Sequence, residues 1–427
     1  MREMNSTGIV WCPSIPSDWE VRRVKDCFYI SKVKAGTKNP VVLKLARSGV
    51  QVKDVTVNGG QMAESYDDYN PVQVGDLLVN PMDLYSGANC NVSEVEGVIS
   101  PAYVNLRAKE TLNPYYFDYY FKIQYWTMAM FAHGKGVSYD NRWTINAESV
   151  KAYELPFPSV SEQNAIVDII KRKCTQIDAL ISNAKQQIEK LKAYKQSVIT
   201  ETVTKGLDPD VTMKDSGVEW IGEIPEHWKV IRLKFLLQYI IDCPHETPNY
   251  SFDGKYYVIR TADEDYGFLR ADEQMYRLDE KEYKHRIRRL SLDKDDIVYG
   301  REGERWGLAC IVPESNKYCL GQRMMQFRCN EHIVPMFIMW ALNSKNIYVQ
   351  GCFDTLGSTS PHVNISTIIN YEIPIPSYEE QNKLASFLQE KCSRIDQLID
   401  LKQQKIEKLQ QYKKSLIYEY VTGKKEV

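Results

Sequence analysis

The feature that most constrains this chain is an internal duplication. Residues 153–204 align without gaps on residues 371–422, and about half of the aligned positions are identical. A shorter match precedes each globular stretch: T-G-I-V-W-C-P-S-I-P-S-D-W from Thr7, and S-G-V-E-W-I-G-E-I-P-E-H-W from Ser216. Because such a repeat is one structural unit written twice, we expect a lead-in segment, a globular domain and a terminal segment, in that order, two times.

The terminal segment of each repeat is predicted to be a long amphipathic helix. Ser159 with Glu162, and Ser377 with Glu380, have the S-x-x-E spacing of a capping box. The prolines just before them disfavour helix upstream. Gly206 ends the first predicted helix and Gly423 ends the second.

Apolar residues in both predicted helices recur at alternating steps of four and three, which is typical of a coiled-coil seam. We therefore expect the two helices to pack antiparallel as a spacer roughly 60 Å long, at ~1.5 Å per residue. Lys195, Lys402 and Lys413 also occupy seam positions, where we expect their ammonium groups to reach water. The alternative is that both helices pad one large core. The predicted seam comprises Ile177, Ile181, Ala184, Ile188, Leu191 and Val198, then Ile395, Ile399, Ile406, Leu409 and Leu416.

The globular stretches share an outline but little sequence. Short β-rich runs separated by turn residues predict strands, and the apolar stretches 113–131 and 334–350 predict core helices. The predicted fold class is α+β: two globular α+β domains, each with a curved and mostly antiparallel sheet, joined by two long antiparallel coiled-coil helices. The predicted divisions are 1–158 (first domain), 159–205 (central spacer helix), 206–376 (second domain) and 377–427 (C-terminal spacer helix).

Composition excludes several classes of protein. No apolar run approaches the ~20 residues that span a bilayer, and no signal-peptide pattern opens the chain, so we expect a cytoplasmic protein. The ten cysteines form no C-x-x-C pair, which predicts reduced thiols and no metal site, with a Cys310–Cys319 redox pair as the alternative. A net charge of −2 does not favour strong DNA binding by the chain alone.

Several of these segments together resemble a known family. They are the P-x-P-S-x-x-E-Q-N helix start, the I-E-K-L seam, the V-T end, the W-I-G-E-I-P-E-H-W lead-in, and the L-G-Q-R-M-M and G-S-T-S-P-H segments. This order and spacing, over essentially the whole chain, resembles the specificity subunits of type I restriction–modification enzymes. The resemblance implies that each globular domain is a target recognition domain for one half of a bipartite double-stranded DNA sequence. It also implies that the helices set the spacing.

The resemblance further implies partners and cofactors. Two modification subunits, which methylate adenine at N6, would dock on the helices, and restriction or translocase subunits would join through them. S-adenosylmethionine, ATP and Mg²⁺ would be bound by those partners, and this chain would hold no cofactor and contact no membrane. The residues agree that the chain is not an enzyme, because N/D-P-P-Y/F/W and G-x-x-x-x-G-K-S/T are both absent. No catalytic or metal-binding residue is predicted.

Candidate DNA contacts are basic and polar side chains in segments that read as loops, because base edges and phosphates are bound by such groups. In the first domain these are Lys32, Lys34, Lys38, Arg47, Lys135, Ser138, Tyr139, Asn141 and Arg142. In the second they are Arg260, Lys284, Arg286, Arg288, Arg289, Arg301, Arg305, Arg323, Ser358, Thr359 and His362.

Other interpretations of these residues and of the chain stay open. Residues 284–289 could pair with Glu280 and Glu282, residues 301–305 could pair with one another, and residues 263–265 should face away from phosphate. The chain could also be a protein-interaction scaffold that binds no DNA, a stand-alone methyltransferase, or the recognition subunit of a methylation-only system.

Overall fold

The computed structural model describes residues 2–31, 33–36, 40–46, 48–54, 65–82, 84, 90–136, 143–270, 272–356 and 361–427. The chain divides into two compact units. Unit 1 consists of Met1–Ala184 and Gln404–Val427, and unit 2 of Lys185–Gln403. The division crosses both long helices, so each unit holds a globular part and a segment of each helix. No helix in the described part of the chain has the length and apolarity that crossing a bilayer requires.

In the first half of the chain, the described residues form twelve strands and four helices. The strands are β1 (Met4–Ile9), β2 (Cys12–Pro16), β3 (Glu20–Arg23), β4 (Phe28–Ile30), β5 (Leu43–Ala46), β6 (Gly49–Val52), β7 (Asn70–Val72), β8 (Leu77–Val79), β9 (Cys90–Val92), β10 (Gly97–Ile99), β11 (Val104–Ala108) and β12 (Glu154–Phe157). The helices are α1 (Val24–Cys27), α2 (Pro114–Trp126), α3 (Ala147–Ala152) and α4 (Val160–Lys205), with a short 3-10 helix at Ala129–His133.

The second half repeats this order of elements with insertions. Its strands are β13 (Met213–Asp215), β14 (Glu223–Pro225), β15 (Lys229–Arg232), β16 (Leu237–Asp242), β17 (Tyr256–Ile259), β18 (Glu264–Asp265), β19 (Phe268–Leu269), β20 (Arg277–Leu278), β21 (Ile297–Gly300), β22 (Ala309–Ile311), β23 (Tyr318–Leu320), β24 (Met324–Cys329), β25 (Thr355–Leu356), β26 (His362–Val363) and β27 (Glu372–Ile375). Its helices are α5 (Glu280–Arg286), α6 (Pro335–Leu342), α7 (Lys345–Cys352), α8 (Ile365–Ile368) and α9 (Tyr378–Val421), with short 3-10 helices at Leu233–Phe235 and Asp272–Gln274.

Each unit is built on the same four-stranded antiparallel sheet. The strand order is β4-β11-β8-β9 in unit 1 and β16-β24-β21-β22 in unit 2. A helix follows the sheet in both units, but the apolar stretch 334–350 breaks into α6 and α7. The break falls at Asn343, whose side chain bonds the backbone of Ala309. The predicted α+β class with mostly antiparallel sheets is confirmed.

A buried aspartate fixes the two sheets in the same way. Asp76 accepts hydrogen bonds from Arg107 at 2.9 and 2.7 Å and from Asn105 at 3.0 Å. In unit 2 the corresponding aspartate is only 2% exposed and accepts the same set of bonds from the corresponding arginine and amide side chains: Asp296 from Arg328 and Gln326. Because a buried carboxylate is costly unless paired, this set marks a common fold in domains of little shared sequence.

The lead-in tryptophans dock on the starts of the long helices. Trp19 Nε1 donates to Glu162 Oε2 at 2.9 Å, and Trp228 Nε1 donates to Glu380 Oε2 at 3.2 Å. The serine of each predicted capping box does accept the glutamate N–H, at 3.3 Å. In a complete capping box the glutamate side chain would accept from the serine N–H. Here it accepts from the indole N–H of the lead-in tryptophan instead.

The two long helices pack antiparallel in both units, as predicted. In unit 1, Lys413 Nζ donates to both carboxylate oxygens of Asp178 at 2.7 Å. In unit 2, Lys195 Nζ donates to Asp396 at 2.9 and 2.7 Å. The lysines are equivalent in the repeat, as are the aspartates, so the same contact occurs twice, as in a twofold interface.

The seam residues are buried or half-buried. The buried ones are Ile177, Ile181, Ala184, Ile188, Ile395, Ile406 and Leu416, and the half-buried ones are Leu191, Val198, Ile399 and Leu409. The expectation that the Lys195 ammonium reaches water was wrong. Its side chain is only 8% exposed because the Asp396 carboxylate takes the place of solvent. All ten cysteines are free thiols, so Cys310 and Cys319 form no disulfide.

Candidate nucleic-acid interface

One end of the four-stranded sheet in unit 2 collects the loops that carry predicted DNA contacts. Central strand β21 ends at Gly300, and the next residue, Arg301, accepts a hydrogen bond from Val363 N at 3.1 Å. Gly303 N donates to Pro361 O at 2.8 Å. Both flanks of residues 357–360 are therefore anchored at this end of β21.

The first unit anchors a predicted contact loop at the equivalent place. Ile145 N donates to Pro81 O at 2.9 Å, just beyond the end of strand β8. Lys135 and Thr144 exchange two backbone hydrogen bonds, at 2.8 and 3.0 Å. The flanks of residues 137–142 are thus paired with each other and tied to the end of the central strand.

These two loops are equivalent positions of the duplicated fold. Ile145 and Val363 are both buried, and each is followed by an asparagine at the start of a short helix, α3 or α8. The helices lead to Tyr153 and Tyr371, where the sequence repeat begins. The residues that follow 137–142 and 357–360, two segments selected separately by composition, therefore occupy equivalent positions in the two units.

A charged cluster organises the loop end in unit 2. Arg301 Nη2 lies 2.8 Å from Glu302 Oε1, and Arg301 Nε lies 3.3 Å from Asp242 Oδ1. His245 Nε2 is 2.7 Å from Asp242 Oδ2 and 3.3 Å from Arg301 Nη2. Because its side chain is only 11% exposed and already paired, Arg301 holds strand and loop ends together.

Three residues of this cluster have the ligand types of a metal site. A carboxylate oxygen of Asp242, the Cys243 thiol and a His245 ring nitrogen lie within 4.8 Å of one another. The Arg301 guanidinium already supplies positive charge there. Burial raises the pKa of Cys243 to about 11, so its sulfur is a thiol rather than the thiolate that binds metals. We assign this cluster to charge pairing.

Exposed cations surround the cluster. Arg323 precedes β24, and its backbone oxygen accepts from Arg301 N at 3.1 Å. Arg289 Nη1 donates to Asp242 O at 2.9 Å. Arg288 is exposed beside His285, and half-buried His362 pairs with Glu302 across a β-bridge. The structure thus brings Arg288, Arg289, Arg301, Arg323 and His362 to one end of the sheet.

The other predicted contacts of unit 2 are paired with acidic residues, line a cavity or are buried. Lys284 forms an ion pair with Glu280 at 2.7 Å, and Arg260 is bound by Asp263. Exposed Arg305 lines an open cavity of about 1070 Å³ beside α4. Arg286 is a correction: it is 5% exposed and donates to three backbone carbonyls, so it is part of the interior.

Most predicted contacts of unit 1 fall outside the described residues. Lys34 is described, is exposed and pairs with Asp68, and Lys135 lies in the bridge with Thr144. The following lie outside the described part of the chain: Lys32, Lys38, Arg47, Ser138, Tyr139, Asn141, Arg142 and, in unit 2, Ser358 and Thr359.

The sequence analysis did not identify the residues that pair with Arg301 at the end of β21. Asp242 and His245 occur in D-C-P-H, which has no repeat counterpart and no metal spacing. Asp76 and Asp296 could have been found, since G-D-L-L-V and D-D-I-V-Y place an aspartate directly before a predicted strand in both halves.

Comparison with known proteins gives a family match in the second half of the chain. Residues 225–411 match the family model described as the type I restriction modification DNA specificity domain. That match covers the second domain and most of the second long helix, and the duplication extends the same elements to the first half. The second half of the chain thus matches the DNA specificity domain of type I restriction–modification systems, which agrees with the predicted resemblance.

Two specificity subunits are similar to this chain over nearly their full length. The MjaVIII specificity subunit of Methanocaldococcus jannaschii is 24% identical over 432 residues, which cover 96% of this chain and 93% of that protein. The putative MjaX specificity subunit of the same organism is 24% identical over 434 residues, covering 96% and 94%. Both relatives are named as specificity subunits, which agrees with the prediction of a non-catalytic recognition subunit.

Solved structures show the same fold. A chain from a study of complex assembly and conformational transition in the type I R-M system has a TM-score of 0.69 at 14% identity, covering 96% of this chain and 99% of that one. The HsdS subunit from Thermoanaerobacter tengcongensis has a TM-score of 0.52 at 13% identity, covering 96% and 98%. The predicted family is confirmed.

Proposed function

We propose that this specificity subunit reads a bipartite DNA target, one half with each globular part. The observation that carries the proposal is that the residues flanking 137–142 and 357–360 are bonded in equivalent ways at the ends of β8 and β21. Two loops of unrelated sequence on a common support can present different side chains to different bases. Base reading requires such polar side chains at base edges, and phosphate contacts by cations fix the orientation.

The second part of the proposal concerns the long helices. α4 has 46 residues and α9 has 44, so each is roughly 65–70 Å long at ~1.5 Å per residue. Two reading surfaces on one face of B-DNA are commonly spaced by about one helical turn, ~34–36 Å, which helices of this length can span. We propose that the helix pair sets this spacing and docks two adenine-N6 modification subunits, which bring S-adenosylmethionine. Restriction subunits with ATP and Mg²⁺ would join through them.

The near-neutral charge of the chain fits a complex in which the modification subunits supply most of the non-specific affinity for DNA. Neutralising phosphates and releasing counterions supplies most non-specific affinity for DNA, and a net charge of −2 supplies little of it. We expect weak, salt-sensitive binding by the isolated subunit and tight binding once modification subunits join. Gel-shift titrations with and without the modification subunit, at two salt concentrations, measure this difference.

The decisive experiment co-expresses the chain with the modification subunit of its own system and maps methylated adenines across the host genome. A two-part motif with a fixed unread gap is expected. Arg323→Ala should reduce methylation roughly 10- to 100-fold or relax one half of the motif, since a specific contact contributes ~1–3 kcal/mol.

Arg270→Ala is the matched control, because Arg270 is an exposed arginine of the same unit that lines a cavity with Ile311 and Pro313, near the start of β21 rather than its end at Gly300. It should leave both half-sites and the rate unchanged. A single undivided motif, or no sequence-dependent methylation at all, would refute the proposal. Equal effects of the two substitutions would refute the placement of the reading surface.

A further inference from the structure

Both units carry the same trio of side chains at one edge of the four-stranded sheet. In unit 1 the trio is Lys25, Tyr29 and Arg107, and Tyr29 lies directly opposite Arg107 in the β4–β11 register. In unit 2 the trio is Lys234, Tyr239 and Arg328, with Tyr239 opposite Arg328 in the β16–β24 register. β4 and β16 are the edge strands of their sheets, so one side of each trio faces no further strand.

The tyrosines of the trio are exposed, and the half-buried arginines are held in place. Tyr29 is 59% and Tyr239 is 43% exposed. The guanidiniums of Arg107 and Arg328 are fixed from below by the buried aspartates Asp76 and Asp296. Fixed side chains lose little entropy on binding, so they are suited to contact a partner.

The lysines of the two trios are free to contact a partner. Lys25 is exposed and Lys234 half-buried, and neither forms an ion pair with any described residue. In unit 1, Lys109 Nζ joins the surface by donating to Lys25 O at 2.6 Å and lying 4.9 Å from the Tyr29 ring. In unit 2, Phe235 is 66% exposed beside Lys234. Both surfaces are aromatic and mainly basic.

Retention of the trio in both units needs an explanation other than folding. The two globular parts have diverged, and what they share in the interior, such as the buried aspartates, maintains the fold. Exposed side chains such as Tyr29 and Tyr239 stabilise a fold little and are generally free to change. Their agreement therefore indicates a partner that both units bind alike.

The position of the trio separates it from base reading. Strand β24 begins one residue after Arg323, at the loop end, and carries Arg328 near its other end. Five residues at ~3.3 Å each put the two arginines roughly 16 Å apart along the strand. The trio lies instead beside strand β15 and its partner β27, which leads into α9, since Lys234 N donates to Ile369 O at 2.9 Å.

We propose that the trio is a docking surface for the modification subunit, present once in each unit and independent of the target sequence. This rests on the proposed function and adds a contact outside the long helices. Tyrosine and arginine are enriched among residues that dominate protein–protein binding, and the lysines favour an acidic partner surface. One surface per unit also explains why two copies of the same partner would bind.

The test uses the full chain co-expressed with its modification subunit and analysed by native mass spectrometry. Lys25→Glu with Tyr29→Ala changes unit 1, Lys234→Glu with Tyr239→Ala changes unit 2, and a fourfold variant changes both. Wild type should hold two modification subunits, each double variant one, and the fourfold variant none at concentrations up to tenfold above those that saturate wild type. Tyr239→Phe should retain two.

The control is Phe252→Ala with Lys255→Glu, an exposed aromatic and an exposed cation of unit 2 outside the trio, which should keep two partners. Thermal unfolding of each isolated variant should match wild type, which excludes misfolding. A fourfold variant that still holds two partners overturns the docking surface, and so does one that keeps both but loses DNA binding, because the trio would then contact phosphate. Failure of wild type to direct two-part methylation overturns the proposed function itself.

Discussion

At the scale of single residues, the interior of unit 2 contains a carboxyl group without an ionic partner in contact. Glu264 is fully buried; its Oε1 accepts a hydrogen bond from the Cys310 thiol at 3.5 Å. Its Oε2 has no hydrogen-bond partner among the described residues. Burial therefore raises the pKa of Glu264 well above its usual value, partly offset by Cys310 and Arg305. The native chain therefore retains the proton on Glu264 to a higher pH than the unfolded chain does.

We predict that this glutamate makes stability fall as pH rises. The unfolded chain releases the proton near pH ~4.3, whereas the native chain retains it to a higher pH. Unfolding therefore becomes easier above that pH, as the medium rises toward the raised native pKa. Glu264→Gln imitates the protonated form, so its urea midpoint relative to wild type should be higher at pH 8 than at pH 5.

The control is Glu273→Gln, which changes an exposed glutamate of the same unit. Its midpoint should differ from wild type by the same small amount at both pH values. If the difference between Glu264→Gln and wild type does not grow with pH, the buried carboxyl is not protonated in the native chain.

At the scale of elements, charge pairs specify the register of the two long helices. Apolar seams alone allow slippage by a whole heptad, because every heptad presents the same face. Lys195 with Asp396, and Lys413 with Asp178, add a charged contact on each side of the repeat. A slipped pairing would leave the nearly buried Lys195 ammonium without its carboxylate, which is costly.

We predict that exchanging the charges of one pair restores what either single change removes. Lys195→Asp or Asp396→Lys should each lower the unfolding free energy by ~1–3 kcal/mol, because like charges then meet in a half-buried site. The double exchange should recover at least half of the loss. Urea unfolding of the four chains measures the coupling between the two sites.

The matched control is the same exchange on Lys192 and Glu189, an exposed pair within α4. Exposed pairs contribute little, so every one of its variants should stay within ~1 kcal/mol of wild type. Additive losses at Lys195 and Asp396 would show that the pair does not specify register.

At the scale of the whole molecule, the repeat in the sequence and the compact unit in space are not the same. The first repeat ends with α4, but Ile199 and Val203 of its last turns lie in the core of unit 2. The second repeat ends with α9, and Leu416, Ile417 and Tyr420 lie in the core of unit 1. Each long helix therefore begins on its own globular part and ends in the other unit.

A change in the length of both helices should consequently change the target. We predict that inserting seven residues after Ala184 and seven after Gln403 preserves the seam and lengthens each helix by ~10 Å. With base pairs ~3.4 Å apart, the unread gap should grow by about three base pairs while both half-sites stay the same. Methylation mapping of the co-expressed complex provides the measurement.

Insertion into α4 alone is the control, because it mismatches the two helices and should abolish methylation. An unchanged gap after the paired insertion would show that the helices do not set the spacing.

The sequence by itself determined the architecture. The duplication, the helix starts, the seam and the antiparallel pairing were all predictable, because hydrophobic periodicity and helix signals are properties of short segments. The two loops at residues 137–142 and 357–360 were also selected by local composition. That selection needed no tertiary information, because polar and glycine-containing composition is visible in a few residues.

Only the tertiary structure decided which charged side chains are free to bind. Arg286 and Arg301 look like contacts in sequence, yet backbone carbonyls hold the first and Asp242 and Glu302 pair with the second. The sequence predicts a solvated ammonium group for Lys195, yet this group is bound by the carboxylate of Asp396, about two hundred residues away in the chain. Such partners are brought together by long-range packing, and the free energy of a charge depends on those partners rather than on its neighbours in the chain.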